Sequence, residues 1–181
     1  MKAATFFSIL LIFFCCNPVE DGWKGIRPLR TNFDQVSKSL GKGKTDSDGN
    51  FNFVTEDASI HAIFSSAPCT EAGFGRGDYN VPERTILNYV VHMKKLVKFT
   101  DLDLDRENYV RDASGDVINS FTYVNKKDGV WISVRIRDDI EYVGTIYYWP
   151  TEKDKEKFKC PRANEKRLRG WGLAFDSSIL D

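Results

Sequence analysis

The segment VWISVRIR, residues 130–137, alternates apolar and polar side chains over its whole length. One side of an extended chain would carry β-branched apolar residues, and the other would carry tryptophan, serine and arginine. The first set is Val130, Ile132, Val134 and Ile136, and the second is Trp131, Ser133, Arg135 and Arg137. This two-residue period predicts a β-strand in an antiparallel sheet that has one covered face and one open face.

The same plan occurs twice along the chain, with an offset of 70 residues between apolar positions. In each half a short polar turn separates two strands, and a third strand follows, RTILNYVVHM in the first half and IEYVGTIYYW in the second. The positions compared are Phe51, Phe53, Val54, Ile60, Ala62 and Phe64 with Phe121, Tyr123, Val124, Val130, Ile132 and Val134. We predict a pseudo-repeat, residues 31–94 and 100–150, that forms a sheet of about six strands.

The segment TNFDQVSKSLG has helical rather than strand spacing. Phe33, Val36 and Leu40 share one helical face, Asn32 and Gln35 can form a capping box, and Gly41 can end the helix. We therefore predict a helix over residues 32–40, packed on one face of the sheet. In the strand RTILNYVVHM we expect Leu87, Tyr89, Val91 and Met93 on the covered face. The predicted fold class is α+β.

The first residues, MKAATFFSILLIFFCC, have the pattern of an export signal. The positive residue Lys2 precedes an apolar run of twelve residues, 3–14, which is too short to span a membrane but suits a signal peptide. We predict a signal peptide over residues 1–16, a single domain over 22–161 and a C-terminal tail over 162–181. A lipoprotein signal with Cys16 lipidated, or Cys15 as second candidate, and a plain secreted protein cleaved near residues 16–22 are both open.

The charge is balanced, with 26 basic and 26 acidic residues. This balance predicts neither a nucleic-acid partner nor electrostatic binding to an anionic membrane. The expected location is the periplasm, the outer membrane or the extracellular space. The one membrane attachment considered is an N-terminal lipid.

Two cysteines follow the predicted signal, Cys69 and Cys160. In an exported chain, two cysteines far apart in sequence predict a disulfide. A catalytic thiol is the alternative, but neither cysteine has a histidine neighbour that would activate it.

Cys69 lies in the segment SSAPCTEAGFGRGDYNVPERT, residues 65–85, which has no counterpart in the second half. We predict an inserted connection held by the disulfide. Its Arg76-Gly77-Asp78 triplet is interpreted as turn chemistry, not as an adhesion signal.

The chain has only two histidines, His61 and His92, and both fall on the open face of the predicted strands. Two histidines and a carboxylate could bind a metal or act as acid and base, but the sequence identifies no third ligand. Carboxylates two apart in DSDGN, residues 46–50, and DLDLD, residues 101–105, lack the rest of a calcium loop and indicate a turn and a solvated edge.

The open face also carries Trp131, Arg135 and Arg137, and by the 70-residue offset Trp131 corresponds to His61. Aromatic and arginine side chains are enriched where proteins bind partners. We predict that Trp131, Arg135, Arg137, His61 and His92 form a binding face. The alternative is that the tail or the 65–85 segment covers these side chains as a second small core.

Several motifs resemble those of a family of small exported proteins of unassigned function from acidobacteria and related bacteria. They are WKGIRPLRTNFDQVSKSLG at 23–41, APC, NVPERTIL, DLDLD, YVNKKDGV and IYYWPTEKD. The resemblance covers residues 23–160 and favours the disulfide. The unit T-x-x-x-x-V-x-x-x-L-G followed by three strands also resembles the fold of β-lactamase-inhibitor proteins and of a small outer-membrane assembly lipoprotein, which implies a binding scaffold.

These expectations favour a non-catalytic binding or envelope-associated module that needs no cofactor and has an unknown envelope protein or ligand as partner. The alternative is a small hydrolase or metal-dependent enzyme that uses His61 and His92.

Overall fold

A computed structural model describes residues 22–69, 79–102, 104–117 and 119–160. This part of the chain forms one antiparallel sheet of eight strands and two short α-helices. The strands are β1 (Lys44–Thr45), β2 (Phe51–Val54), β3 (Ala58–Phe64), β4 (Ile86–Lys98), β5 (Val110–Val117), β6 (Ser120–Asn125), β7 (Val130–Arg137) and β8 (Ile140–Tyr148). The helices are α1 (Phe33–Leu40) and α2 (Glu152–Lys157), and 3₁₀ turns lie at Trp23–Gly25, Phe99–Leu102 and Arg106–Asn108.

The strand order in the sheet is β1-β2-β3-β4-β8-β7-β6-β5. Each half of the order is a meander of four sequential strands, and the last strand of each meander lies at the centre. The two meanders meet where β4 pairs with β8, at Tyr89↔Tyr148 and Val91↔Ile146 among others. A single sheet therefore extends across both halves of the described chain.

The α+β fold class and the antiparallel sheet are confirmed, but the prediction of about six strands is wrong. The two additional strands, β1 and β5, are the edge strands. β1 has only two residues, and β5 has the polar sequence VRDASGDV with no regular alternation. Edge strands in natural sheets are commonly short or polar, because that composition discourages aggregation, and it also removes the pattern by which a strand is recognised.

The predicted helix is present as α1, and its capping box forms as expected. The Asn32 side chain accepts from the Gln35 backbone N–H at 2.9 Å, and the Gln35 side chain accepts from the Asn32 N–H at 2.9 Å. Val36 and Leu40 are buried on the covered face of the sheet. The Phe33 ring lies 4.6 Å from the Phe51 ring between centroids, so the helix is fixed to the first meander.

The core lies on the face predicted to be covered. Val130, Ile132 and Val134 are fully buried in β7, and the alternate residues face the other side. The same cluster takes members from β2, β3, β4, β6, β7 and β8, and from the helix and 3₁₀ turns beside them. They include Ile26, Phe53, Ile60, Tyr89, Val91, Phe99, Tyr109, Phe121, Tyr123, Val143, Ile146 and Tyr148.

The prediction that Leu87 shares the covered face with Tyr89 is wrong. A β-bulge between β3 and β4 places Asn88 opposite Ile63 but Ile86 opposite Phe64, so the alternation changes at Leu87. Ile86 joins the main core, and Leu87 joins a second cluster with Leu29, Val81, Ile63, Tyr79 and Phe158. One additional residue in a strand reverses the facing of the residues beyond it, which periodicity alone does not reveal.

The register of the two meanders refines the proposed repeat. Phe53 pairs with Ile60, and Tyr123 pairs with Ile132, so the first strands differ by 70 positions and the second strands by 72. By this register the counterpart of His61 is Ser133, since His61 pairs with Asn52 and Ser133 pairs with Thr122. The internal duplication itself stays a prediction.

Cys69 and Cys160 form the predicted disulfide, with their Cα atoms 5.5 Å apart. The connection between β3 and β4 is held at its base as well. The Cys69 N–H donates to the Tyr79 carbonyl at 3.0 Å, and the Asn80 N–H donates to the Phe158 carbonyl. The equivalent connection between β7 and β8 is a two-residue turn, Asp138 and Asp139, with positive φ at both residues.

Several predictions fall outside the described residues: the signal peptide, lipidation at Cys16 or Cys15, the Arg76-Gly77-Asp78 triplet and the tail 162–181. Within the described ranges, no helix has the length and apolar character needed to cross a membrane.

We predict that replacing both Cys69 and Cys160 by serine lowers the free energy of unfolding. The bond joins residues 91 positions apart, and releasing that constraint on the unfolded chain costs about 4 kcal/mol in the chain-entropy treatment. Urea unfolding with and without reductant measures the effect. Reductant should destabilise the wild type and leave the double variant unchanged, whereas equal curves for the reduced and oxidised wild type would contradict the bond's role.

Candidate functional site

The open face of the sheet carries a row of side chains that lie in register across its strands. His61 in β3 is opposite Val90 in β4, Val90 is opposite Tyr147 in β8, and Tyr147 is opposite Trp131 in β7. The row then passes to Val124 in β6 and Val110 in β5. We call the five residues Val90, Tyr147, Trp131, Val124 and Val110 the aromatic row.

A row of polar residues runs beside the aromatic row on the same face. It consists of Ser59, His92, Thr145, Ser133, Thr122 and Asp112, paired in that order from β3 to β5. Because neighbouring strands lie about 4.8 Å apart, the two rows form a continuous strip with one apolar side and one side able to form hydrogen bonds.

Trp131 is the largest exposed apolar side chain of the strip, at 41% exposure. Its ring lies 5.8 Å from the Trp149 ring between centroids, with the planes tilted by 40°. Trp149 immediately follows β8 and is half-buried, and its indole Nε1 is buried without a hydrogen-bond partner among the described residues. The two tryptophans thus form an aromatic pair of which one member faces solvent.

The position of Trp149 depends on the turn between β6 and β7. The Trp149 N–H donates to the Gly129 carbonyl at 2.8 Å. Gly129 has a φ of 69°, and a Cβ at this position would lie 2.1 Å from the Trp149 carbonyl oxygen. Only glycine allows both the positive φ and this close approach of two backbones.

A groove of about 490 Å³ opens at the end of the strip formed by β5, β6 and β7. Its apolar lining consists of Val110, Val124 and Trp131. Val110 is 72% exposed, and Val124 is 9% exposed. Polar and charged residues surround this apolar lining: Asn108, Arg111, Asp112, Asn125, Lys126 and Lys127.

His61 lies near a carboxylate, but the two do not form a hydrogen bond. The Asp46 Oδ2 is 3.8 Å from the His61 Nδ1, and the closer partner of His61 is the Asn52 Oδ1 at 3.0 Å. Desolvation would raise the pKa of the Asp46 carboxyl, but the backbone N–H groups of Asn50 and Asp48 outweigh it and lower that pKa. Asp46 is therefore an ionised group that accepts hydrogen bonds from backbone N–H groups of its own turn, and the DSDGN motif forms the predicted turn.

His92 is exposed and lies diagonally from His61 on the same face, since Ser59 is opposite His92 and His61 is opposite Val90. Its Nδ1 is 3.3 Å from the Thr145 Oγ1. No group of three or more His, Cys, Asp and Glu side chains in the described ranges could hold a metal ion. The two histidines share a face as predicted, and no observation in the described chain adds a third ligand or a nucleophile.

Arg135 and Arg137 lie on the same face of β7 as Trp131 and are exposed. Arg135 is four positions from Trp131, about 13 Å along the strand, at the end that leads into the β7–β8 turn. His61 lies three strands from Trp131 in the same row, a distance of about 14 Å. The five residues of the predicted binding face therefore share one face but do not converge on one point.

Sequence periodicity does not reveal the groove residues around Trp131. In the repeat Val124 corresponds to Val54 as an apolar position, and the polar turn between β6 and β7 indicates only a connection. The adjacent Tyr123 and Val124 nevertheless indicate that an apolar residue lies on the open face. Two consecutive apolar residues in a strand face opposite sides, so one of them had to lie on the open face.

Comparison of the chain with known protein families, curated proteins and solved structures gives no match. The resemblance to the exported acidobacterial-type family and to the β-lactamase-inhibitor-protein fold therefore stays a prediction.

We predict that Gly129→Ala destabilises the protein more than Gly49→Ala does. Both glycines have positive φ, which costs an alanine about 1–2 kcal/mol, but a Cβ at Gly49 would meet no atom within 4 Å. The contact with Trp149 should add about 1–3 kcal/mol and change the near-ultraviolet circular dichroism of the tryptophan pair. Equal losses of unfolding free energy in the two variants would contradict the close approach.

Proposed function

We propose that the protein is an exported, non-catalytic binding module that holds a partner of the cell envelope on the open face of its sheet. The observation that carries the proposal is the aromatic row, which places the exposed Trp131 in register with Tyr147 and Val124. Folding buries the covered face and leaves Trp131 and Val110 of this row exposed, with Val90 and Tyr147 half-buried. Large aromatic groups with an apolar surround are the side chains that dominate binding energy in protein interfaces.

The arrangement of the polar row supports recognition rather than simple adhesion. Ser133, Thr145 and Thr122 present hydroxyl groups beside the aromatic row, with Asp112 at one end. An interface needs a few fixed polar groups to select a partner and apolar contacts to hold it. The two adjacent rows of the strip provide both kinds of contact on a rigid sheet.

The export component of the proposal is supported by the disulfide, because such bonds persist in oxidising compartments outside the cytosol. Under this proposal the protein is located in the periplasm, at the outer membrane through an N-terminal lipid, or outside the cell. No cofactor is part of the proposal.

We predict that Trp131→Ala removes binding and preserves the fold. Because Trp131 is 41% exposed, its truncation should lower the free energy of unfolding by less than the roughly 3–5 kcal/mol lost when a fully buried ring is truncated. Recovery of the partner from an envelope extract of the source organism, and rebinding of that partner after purification, should fall by about tenfold or more.

Val54→Ala is the matched control, since Val54 is 65% exposed on the same face and lies next to Ser59, four strands from Trp131 and outside the aromatic row. It should bind as the wild type does. Equal recovery by the wild type and Trp131→Ala would refute the proposed binding face, and unfolding of Trp131→Ala would show that the ring is structural.

A further inference from the structure

We infer that the groove beside Trp131 binds an extended acidic polypeptide segment that carries a large apolar side chain. The inference rests on the proposed binding function of the open face, and it adds the site and chemical class of the partner. The groove is the space of about 490 Å³ lined by Val110, Val124, Trp131 and the charged residues around them. Its volume falls in the range of sites that enclose small ligands or single anchoring side chains.

The floor of the groove is suited to an apolar group. Val110 and Trp131 are both exposed, and they lie two strands apart in one row with Val124 between them. An apolar side chain placed there would contact all three and remove their exposed surface from water. Exposed apolar residues grouped in a concave site mark binding surfaces more often than isolated ones do.

The lining is basic although the whole chain is neutral. Two exposed cations, Lys126 and Lys127, line the groove with one carboxylate, Asp112, whereas the full chain has equal numbers of basic and acidic residues. The Arg111 guanidinium instead lies over the Phe121 ring, 4.2 Å from its centroid, and Phe121 belongs to the covered core. Lys126 and Lys127 are exposed, and neither forms a salt bridge with a carboxylate of the described residues. An anionic partner would therefore complement the charge of this lining.

The backbone that carries the two lysines is fixed before any partner arrives. The Asn125 Nδ2 donates to the Asp128 Oδ2 at 2.7 Å, and the Asp128 N–H donates to the Asn125 Oδ1 at 3.1 Å. Gly129 ends the turn, and its carbonyl accepts a hydrogen bond from the Trp149 N–H. The turn thus holds both lysines at the rim of the groove next to Trp131, which reduces the ordering cost of binding.

A polypeptide fits these observations better than a nucleic acid does. The polar row separates the lysines of the groove from the exposed Arg135 and Arg137, whereas a nucleic acid would need a continuous basic track along the face. An extended peptide alternates its side chains, so it can direct an apolar group to the floor while acidic neighbours reach the lysines. β5 is the last strand in the sheet order, so such a segment can lie along that edge of the face.

The test uses the full chain and fluorescein-labelled nine-residue peptides in fluorescence anisotropy titrations. The probe has a central phenylalanine flanked by aspartates and glutamates. In one control peptide serine replaces every acidic residue, and in a second control alanine replaces the phenylalanine. We expect the acidic phenylalanine peptide to bind at least about tenfold more tightly than either control, with an affinity that falls as salt is raised.

Two protein variants locate the site. Lys126→Glu combined with Lys127→Glu should weaken binding by about tenfold or more, as should Trp131→Ala. Lys42→Glu combined with Lys153→Glu makes the same change in net charge at exposed lysines outside the groove lining, and it should leave the affinity within about twofold of wild type. Thermal unfolding of every variant verifies that it is folded.

The inference is overturned if the acidic peptide does not bind, if the serine peptide binds equally well, or if the lysine pair in the groove matters no more than the control pair. If any of these occurs while Trp131→Ala still loses its envelope partner, the binding face stands and the acidic-peptide assignment falls. If the acidic peptide binds at the lysine pair but capture of the envelope partner is independent of Trp131, the groove stands and the wider binding face falls.

Discussion

The pairing of β4 with β8 is the interaction on which the rest of the structure depends. Tyr89 and Tyr148 are opposite one another in this pairing, and their rings stack on the covered face with centroids 4.5 Å apart and planes within 8°. The Tyr89 hydroxyl accepts from the Trp23 N–H at 2.9 Å and donates to the Ile26 carbonyl at 2.7 Å. One residue thus connects the two meanders and fixes the start of the described chain. Burial raises the pKa of both phenols, so both remain neutral at physiological pH.

The functional consequence of this pairing appears on the opposite face. A meander of four strands alone would present a short row of side chains, but two meanders joined at their last strands present rows that continue from one meander into the other, as the polar row does from β3 to β5. The aromatic row needs this continuity, since Val90 belongs to β4 while Tyr147 and Trp131 belong to β8 and β7. The pairing of β4 with β8 therefore positions both the covered core and the proposed binding face.

The predictable parts of the fold were those in which local pattern and final packing agree. α1 followed from its capping residues and apolar spacing, and the faces of β7 followed from strict alternation in VWISVRIR. The disulfide followed from the count of cysteines. The helix and the strand need no information from a distant part of the chain, and the disulfide needs only that two cysteines follow the predicted signal.

The parts that could not be predicted depend on long-range register. The bulge that redirects Leu87, the edge strands β1 and β5, and the shift from 70 to 72 positions between the halves are set by pairing between strands. The same is true of the candidate site. The sequence placed Trp131, His61 and His92 on one face, but the groove arises because Val110, Val124 and the lysine turn meet Trp131 through three strands. The local periodicity of the sequence does not reveal which residues of different strands come together.

Hydrogen exchange of the backbone amides tests the central pairing most directly. If β4 and β8 join the two meanders, the amides near Val91 and Ile146 should exchange with the slowest rates of the protein, because they open only on global unfolding. Amides of the edge strands β1 and β5 should exchange faster. If the β4 and β8 amides exchanged as fast as those of β1, the meanders would be separate units, and a continuous open face would be contradicted.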